Sequence, residues 1–107
     1  MSLNSLIITT LKPLGVPVDF QTYSGNESTY ITFFEYNQRG ALHAEDEEKR
    51  TAHSIQVDIC STGDYTNLAK QVKDKLISIG FIRIMETEFY EPDIKLYQKV
   101  LRFNYVQ

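Results

Sequence analysis

The chain has 107 residues, 42% of them hydrophobic and 23% charged, with eleven basic and fourteen acidic side chains for a net charge of −3. That size fits one domain able to bury roughly 65% of its unfolded surface, so neither a disulfide nor a metal staple is required. A single cysteine, Cys60, excludes an internal disulfide, no apolar run approaches the ~20 residues of a membrane span, and no signal peptide opens the sequence.

The charge is unevenly spread. Residues 1–44 carry two bases and three acids, residues 51–107 seven of each, and the six residues from Glu45 to Arg50 alone hold four acids and two bases. No basic surface advertises nucleic-acid binding, and the expected setting is a reducing cytoplasm.

Leu3, Leu6, Ile7, Thr10 and Leu11 recur at three and four, the spacing of one helical face, with Ser2 placed to cap the helix and Pro13 and Gly15 to end it. Val16-Pro-Val-Asp-Phe20 reads as a short extended piece whose Pro17 suits a sheet edge. Tyr30 to Tyr36 is dense in aromatic and β-branched residues and predicts a strand. Residues 37–50 show no period and predict a long charged loop, the kind that is usually functional or disordered. Ile55, Val57 and Ile59 then alternate with polar residues, the pattern of a half-buried strand.

Asp64 stands where a helix cap belongs, and Tyr65, Leu68, Val72, Leu76 and Ile79 form one stripe over a helix from 65 to 79, with Lys70, Lys73, Asp74 and Lys75 turned to water. Gly80 fits a left-handed helix end. Phe81–Tyr90 and Ile94–Tyr105 read as strands joined by a turn at Glu91-Pro92-Asp93. Ile94 and Leu96 share one parity and Leu101, Phe103 and Tyr105 the other, so a bulge near Gln98-Lys99 or burial on both faces is expected. The predicted fold is α+β, a small antiparallel-dominated sheet with two helices on one face, in the order α-β-β-loop-β-α-β-β.

Catalytic parts are scarce. His43 and His53 flank the acidic run, and a metal site with Glu45, Asp46 or Glu47 is imaginable, but neither histidine has the tight ligand pairing of a zinc site. They read as surface histidines, and no metal or cofactor is expected. Cys60 has no nucleophile signature around it and reads as structural. Glu86, Glu88, Glu91 and Asp93 gather near the last turn, where solvated charge is the ordinary outcome. No phosphate-cradling glycine motif occurs. Tyr30, Phe33, Phe34 and Tyr36 crowd one strand, yet a stacking platform for nucleic acid also needs a basic groove; core or subunit contact is the simpler use. The chain does not read as an enzyme.

Taken in order, several stretches resemble a known family. They are Thr29-Tyr-Ile-Thr-Phe-Phe-Glu-Tyr-Asn37, Ile55-Gln-Val-Asp-Ile-Cys-Ser61, Asp64-Tyr-Thr-Asn-Leu68, Gly80-Phe81 and the run from Phe89 to Tyr105. The set is similar to the small tail-completion or tail-terminator proteins of long-tailed phages and prophages, and covers about three-quarters of the chain, from Tyr30 to its end. Relatives often carry an aromatic residue where Cys60 stands and a histidine where Gln98 stands. The resemblance implies a structural protein that caps the head-proximal end of the tail tube and joins it to the head connector, as a ring of six copies. Its implied partners are itself, the tail tube protein and the head-closure protein, with no membrane and no sequence-specific nucleic acid. A head-completion or connector protein of the same neck region is the alternative, and a small host regulatory or nucleic-acid-interacting domain a more distant one. On this reading Arg39, Glu45, Asp46, Glu47, Glu48, Lys49 and Arg50 of the loop form a partner contact.

Overall fold

A computed structural model describes residues 2–44 and 47–107, and for residues 37–44 and 47–50 it describes the backbone alone. Helix α1 (Leu3–Leu11) opens the chain, with the Ser2 hydroxyl accepting from the Ser5 N–H at 3.1 Å. A 3-10 turn at Lys12–Leu14 follows and stops at Gly15, whose φ of 81° is the left-handed conformation that glycine adopts without a Cβ penalty. Strands β1 (Val18–Phe20), β2 (Thr29–Ala44) and β3 (Glu47–Ser61), helix α2 (Thr66–Ser78), and strands β4 (Ile82–Glu91) and β5 (Leu96–Val106) complete the chain.

The five strands form one sheet in the order β1-β2-β3-β5-β4, parallel between β1 and β2 and antiparallel elsewhere. This is the α+β architecture expected from the sequence. Both helices lie on one face. Ile7 and Leu11 of α1 and Ala69, Val72 and Leu76 of α2 share a core with Ile31, Phe33, Ile55, Val57, Ile59, Leu101 and Phe103 of the sheet. The helical stripe thus meets the alternating strand, and Tyr65, Leu68 and Ile79 flank the contact half-buried.

The end of α2 is closed as its glycine foretells. The Gly80 N–H donates to the Ile77 carbonyl at 3.0 Å and the Phe81 N–H to the Leu76 carbonyl at 3.0 Å, with Gly80 at φ 105°. These two bonds are the Schellman pattern, which satisfies carbonyls the helix would leave unpaired. At the other end Asp64 acts one position earlier than a formal cap. Its Oδ1 accepts from the Thr66 N–H at 2.9 Å, and this bond holds the carboxyl below its usual range.

One expectation is corrected, and a pair of alternatives is resolved. Residues 37–44 and 47–50 are strand, not loop: β2 runs to Ala44, β3 is described from Glu47, and the two pair from Thr29↔Ser61 to Ala44↔Glu47. β1 pairs only with Ile31–Phe33, and the β5 register ends at Ala52↔Val106, so beyond these points β2 and β3 form a two-stranded ribbon. The ribbon lengthens the molecule, whose extents are 53 × 25 × 24 Å. Glu45 and Asp46 lie outside the described residues; Arg39, Glu47, Glu48, Lys49 and Arg50 lie on the ribbon strands.

For β5 the second of the two alternatives holds: it is buried on both faces. Its register with β3 is continuous through Gln98 and Lys99, and the shift falls on β4, between Arg83 and Met85. The parity change arises because Ile94 sits in the turn, 64% exposed, while Val100 and Leu101 are buried on opposite faces. Among the described residues no helix is long and apolar enough to cross a membrane.

Candidate interaction surfaces

Three surfaces stand out: the sheet face that carries no helix, the outer edge of β4, and the aromatic end of the molecule where α2 begins.

The helix-free face mixes polar with apolar side chains, and its polar groups are joined. Register places Thr32, Ser54, Gln56, Asp58, Cys60, Gln98, Arg102 and Asn104 on it, with Tyr30, Phe34, Met85, Phe89 and Val100 among them. The Arg102 Nε donates to Gln56 Oε1 at 3.0 Å, and Gln56 Nε2 donates in turn to Asp58 Oδ1 at 2.9 Å. Arg102 also stacks its guanidinium 4.6 Å from the centre of the Tyr36 ring, a cation–π contact. Ser54 Oγ donates to Asn104 Oδ1 at 3.2 Å. Among the described residues no buried side-chain nitrogen or oxygen lacks a partner, so this face is tied together without a covering layer.

Burial acts on the titratable groups of that face. It pushes the Asp58 carboxyl up, against the opposing pull of hydrogen bonds from Gln56 and Gln98 and the charge of Arg102. It also pushes up the Cys60 thiol and the neighbouring Tyr30 phenol. Cys60 is only 6% exposed, and a buried thiol with a raised pKa is a poor nucleophile.

The aromatic strand divides between the layers. Phe33 is wholly buried in the core and meets Phe20 edge-on, centroids 5.7 Å apart, whereas Tyr36 is 38% exposed beneath Arg102. Tyr30 stacks on Tyr23 at 4.3 Å.

On the helix-bearing side, the carboxylates of β4 are not merely solvated charges around a turn. Glu86 sits mid-strand and meets Lys99 at 3.2 Å, Lys73 at 3.3 Å and Arg83 at 3.3 Å. Burial raises its carboxyl, but Lys99 and Lys73 outweigh that and hold it below the usual range. Lys73, expected to face water, therefore joins α2 to β4 instead. His53 departs from expectation as well. It is buried, 8% exposed, and its Nδ1 is hydrogen-bonded to the Glu35 carboxylate on the neighbouring strand. Among the described residues no three of His, Cys, Asp and Glu converge as a metal site. His43 and Glu47 have only their backbone described, and Glu45 and Asp46 not even that.

The outer side of β4 is an open edge, and it carries exposed apolar side chains. Ile82, Ile84, Phe89 and Tyr90 are 66%, 48%, 55% and 47% exposed. Ile82–Glu91 has no proline or lysine, but Arg83, three glutamates and the register shift between Arg83 and Met85 are features that guard such edges. Around the β4–β5 turn Tyr90 packs on Tyr97 at 4.6 Å and Tyr97 on Tyr65 at 6.2 Å. The Tyr65 hydroxyl donates to the Glu88 carboxylate. Tyr65, Glu88 and Tyr97, with Thr62, Asp64 and Thr66, line a shallow depression of about 440 Å³. The sequence did not single out this aromatic end, because its tyrosines lie on three elements brought together only by the fold.

The partner contact expected of Arg39, Glu45, Asp46, Glu47, Glu48, Lys49 and Arg50 rests on side chains outside the described set. What the backbone adds is that five of these residues are held on the paired ribbon.

No protein-family model matches the chain, and no curated protein matches it by sequence. The fold does have a likeness among solved structures. One chain of a structure titled "Virion of native gene transfer agent (GTA) particle" superposes with a TM-score of 0.65 at 11% identity, over 96% of this chain and 92% of that one. At that identity the likeness is one of fold, and it spans nearly the whole of both chains.

Proposed function

We propose that this protein is a structural subunit of a phage-like virion, without catalytic activity. Its place would be at the head-proximal end of the tail tube, where it ends the tube and joins it to the head connector. The observation that carries the reading is the near end-to-end fold likeness to a chain of a gene transfer agent virion. The ordered sequence resemblance to tail-completion proteins supplies the finer placement. A ring of six copies would match a six-fold tube, and heterologous contacts that close on themselves build such rings. The partners are then other copies of this chain, the tube protein and the head-closure protein. The protein would be cytoplasmic during assembly and part of the particle afterwards.

The surfaces described above suit such work. An open apolar edge, an uncovered sheet face and a charged ribbon offer separate contacts to neighbours on different sides. The test is deletion of the coding gene in its producing strain, followed by electron microscopy of the particles. Overlong tails detached from filled heads are the expected result. Tails of normal length beside defective heads would move the protein to the connector, and normal particles would overturn a virion role altogether.

A further inference from the structure

The depression at the aromatic end takes its walls from the turn before α2, the start of α2, and the strands β4 and β5. Tyr97 stands opposite Tyr90 in the β4–β5 register, and Glu88 lies two residues from Tyr90, on the same face of β4. Tyr90 and Tyr97 both remain exposed beside it.

The charge of these walls is of one sign. Asp64 and Glu88 contribute carboxylates, and among the described residues no lysine or arginine lines the depression. The bond from the Thr66 N–H holds the Asp64 carboxyl below its usual range, so that group is ionised at neutral pH. Glu88 accepts from the Tyr65 hydroxyl through Oε2, and a carboxylate has further lone pairs to offer. Lys99 stands opposite Glu88 in the register, but its ammonium meets Glu86 at 3.2 Å.

We propose that this depression binds a guanidinium group, the arginine side chain of a partner protein. The site would take an arginine whether or not the protein builds a virion. A depression at a helix N-terminus commonly favours an anion, because the first N–H groups and the helix dipole point into it. Here the chain's own Asp64 already accepts from that terminus, and Glu88 adds a second negative charge. An incoming anion would meet like charge from both. The rings of Tyr65 and Tyr90 are inclined to Tyr97 by 46° and 41°, which gives no flat platform for a sugar or a nucleobase. A cation needs none, since it is drawn to a ring face at up to ~6 Å from the centroid. An apolar side chain would strip water from two carboxylates and return no hydrogen bond. A guanidinium answers both kinds of wall, stacking on an aromatic ring while its paired N–H groups meet a carboxylate. An ammonium fits less well, being more strongly hydrated and without a plane to stack.

An NMR titration of the whole chain at low salt tests this, with N-acetyl-arginine methylamide as probe. The norleucine counterpart and inorganic phosphate serve as controls. Saturable shifts are expected with the arginine probe alone, centred on the amides from Thr62 to Thr66 and on those of Glu88 and Tyr97. Glu88→Gln keeps an oxygen for the Tyr65 hydroxyl and removes the charge, and should weaken binding about twofold to fivefold. Tyr97→Leu keeps apolar bulk and removes the ring, and should weaken it by a similar factor. Melting temperatures establish that both variants are folded. Equal shifts from the norleucine compound would make the depression an ordinary apolar contact and overturn the proposal. Phosphate binding at the same amides would overturn it in favour of an anion site. The absence of saturable shifts in the folded parent, or affinity unchanged in both variants, would overturn it as well.

Discussion

At the residue scale, the two faces of the sheet treat carboxylates in opposite ways. Glu86 is held ionised by Lys99 and Lys73 despite its partial burial, so its folded pKa is lowered. A lowered carboxyl stabilises the fold above the unfolded carboxylate range and loses that contribution as pH falls through its folded value. Asp58 is the reverse case, since burial raises it. Its ionisation costs stability at neutral pH, and the cost fades as acid protonates it in both states. Urea denaturation across pH 3–7 should therefore separate two variants. Glu86→Gln should be less stable than the parent at neutral pH, with the gap closing in acid. Asp58→Asn keeps an Oδ1 to accept from Gln56 Nε2, and should match or exceed the parent at neutral pH, with its advantage vanishing in acid. A lower stability of Asp58→Asn at every pH would mean that the charge of Asp58, facing Arg102, outweighs its burial.

At the element scale, α2 and the β2–β3 ribbon are opposite cases of what a local pattern can encode. Leu76 is fully buried in the core, and Leu76→Ala should cost about 2–5 kcal/mol in chemical denaturation. An unchanged midpoint would remove the helix from the core. That stripe was legible because burial against the sheet imposes a 3.6-residue period on the helix and a period of two on Ile55, Val57 and Ile59. Gly80 was legible for a related reason, since the backbone there requires a positive φ. The ribbon carries no such mark. It lies beyond the ends of β1 and β5, where no helix imposes alternation, and its sequence reads as aperiodic charge. The ties of His53 to Glu35 and of Lys73 to Glu86 were also hidden, because each depends on which strand or helix lies alongside. The ribbon has its own test. Replacing residues 41–50 by a short Gly-Ser linker removes none of the described core, so folding and melting should survive while head–tail joining is lost in an assembly assay. Normal infectious particles from the shortened protein would make the ribbon a bystander.

At the scale of the whole molecule, the layout separates a helix-bearing face from a helix-free one that carries the polar network around Arg102. If copies close into a ring around a DNA exit path, passage demands a surface that does not hold DNA. The chain carries a net charge of −3, and a like-charged surface repels the phosphate backbone at distances up to a Debye length, about 8 Å at physiological salt. Positive charge on the helix-free face is also engaged, since the guanidinium of Arg102 is bound to Gln56 and laid over Tyr36. On the opposite face Lys73 and Lys99 are paired with Glu86, leaving less basic charge free for counterion release, the main source of non-specific affinity. Fluorescence anisotropy with a labelled duplex should therefore show no binding at ~0.15 M salt, the regime in which proteins with several phosphate contacts still bind. Binding that weakens steeply as salt rises would show that some basic surface does grip the backbone. Arg102→Ala then decides where: if the binding is lost, the helix-free face holds DNA, and a passive passage is the wrong picture of it.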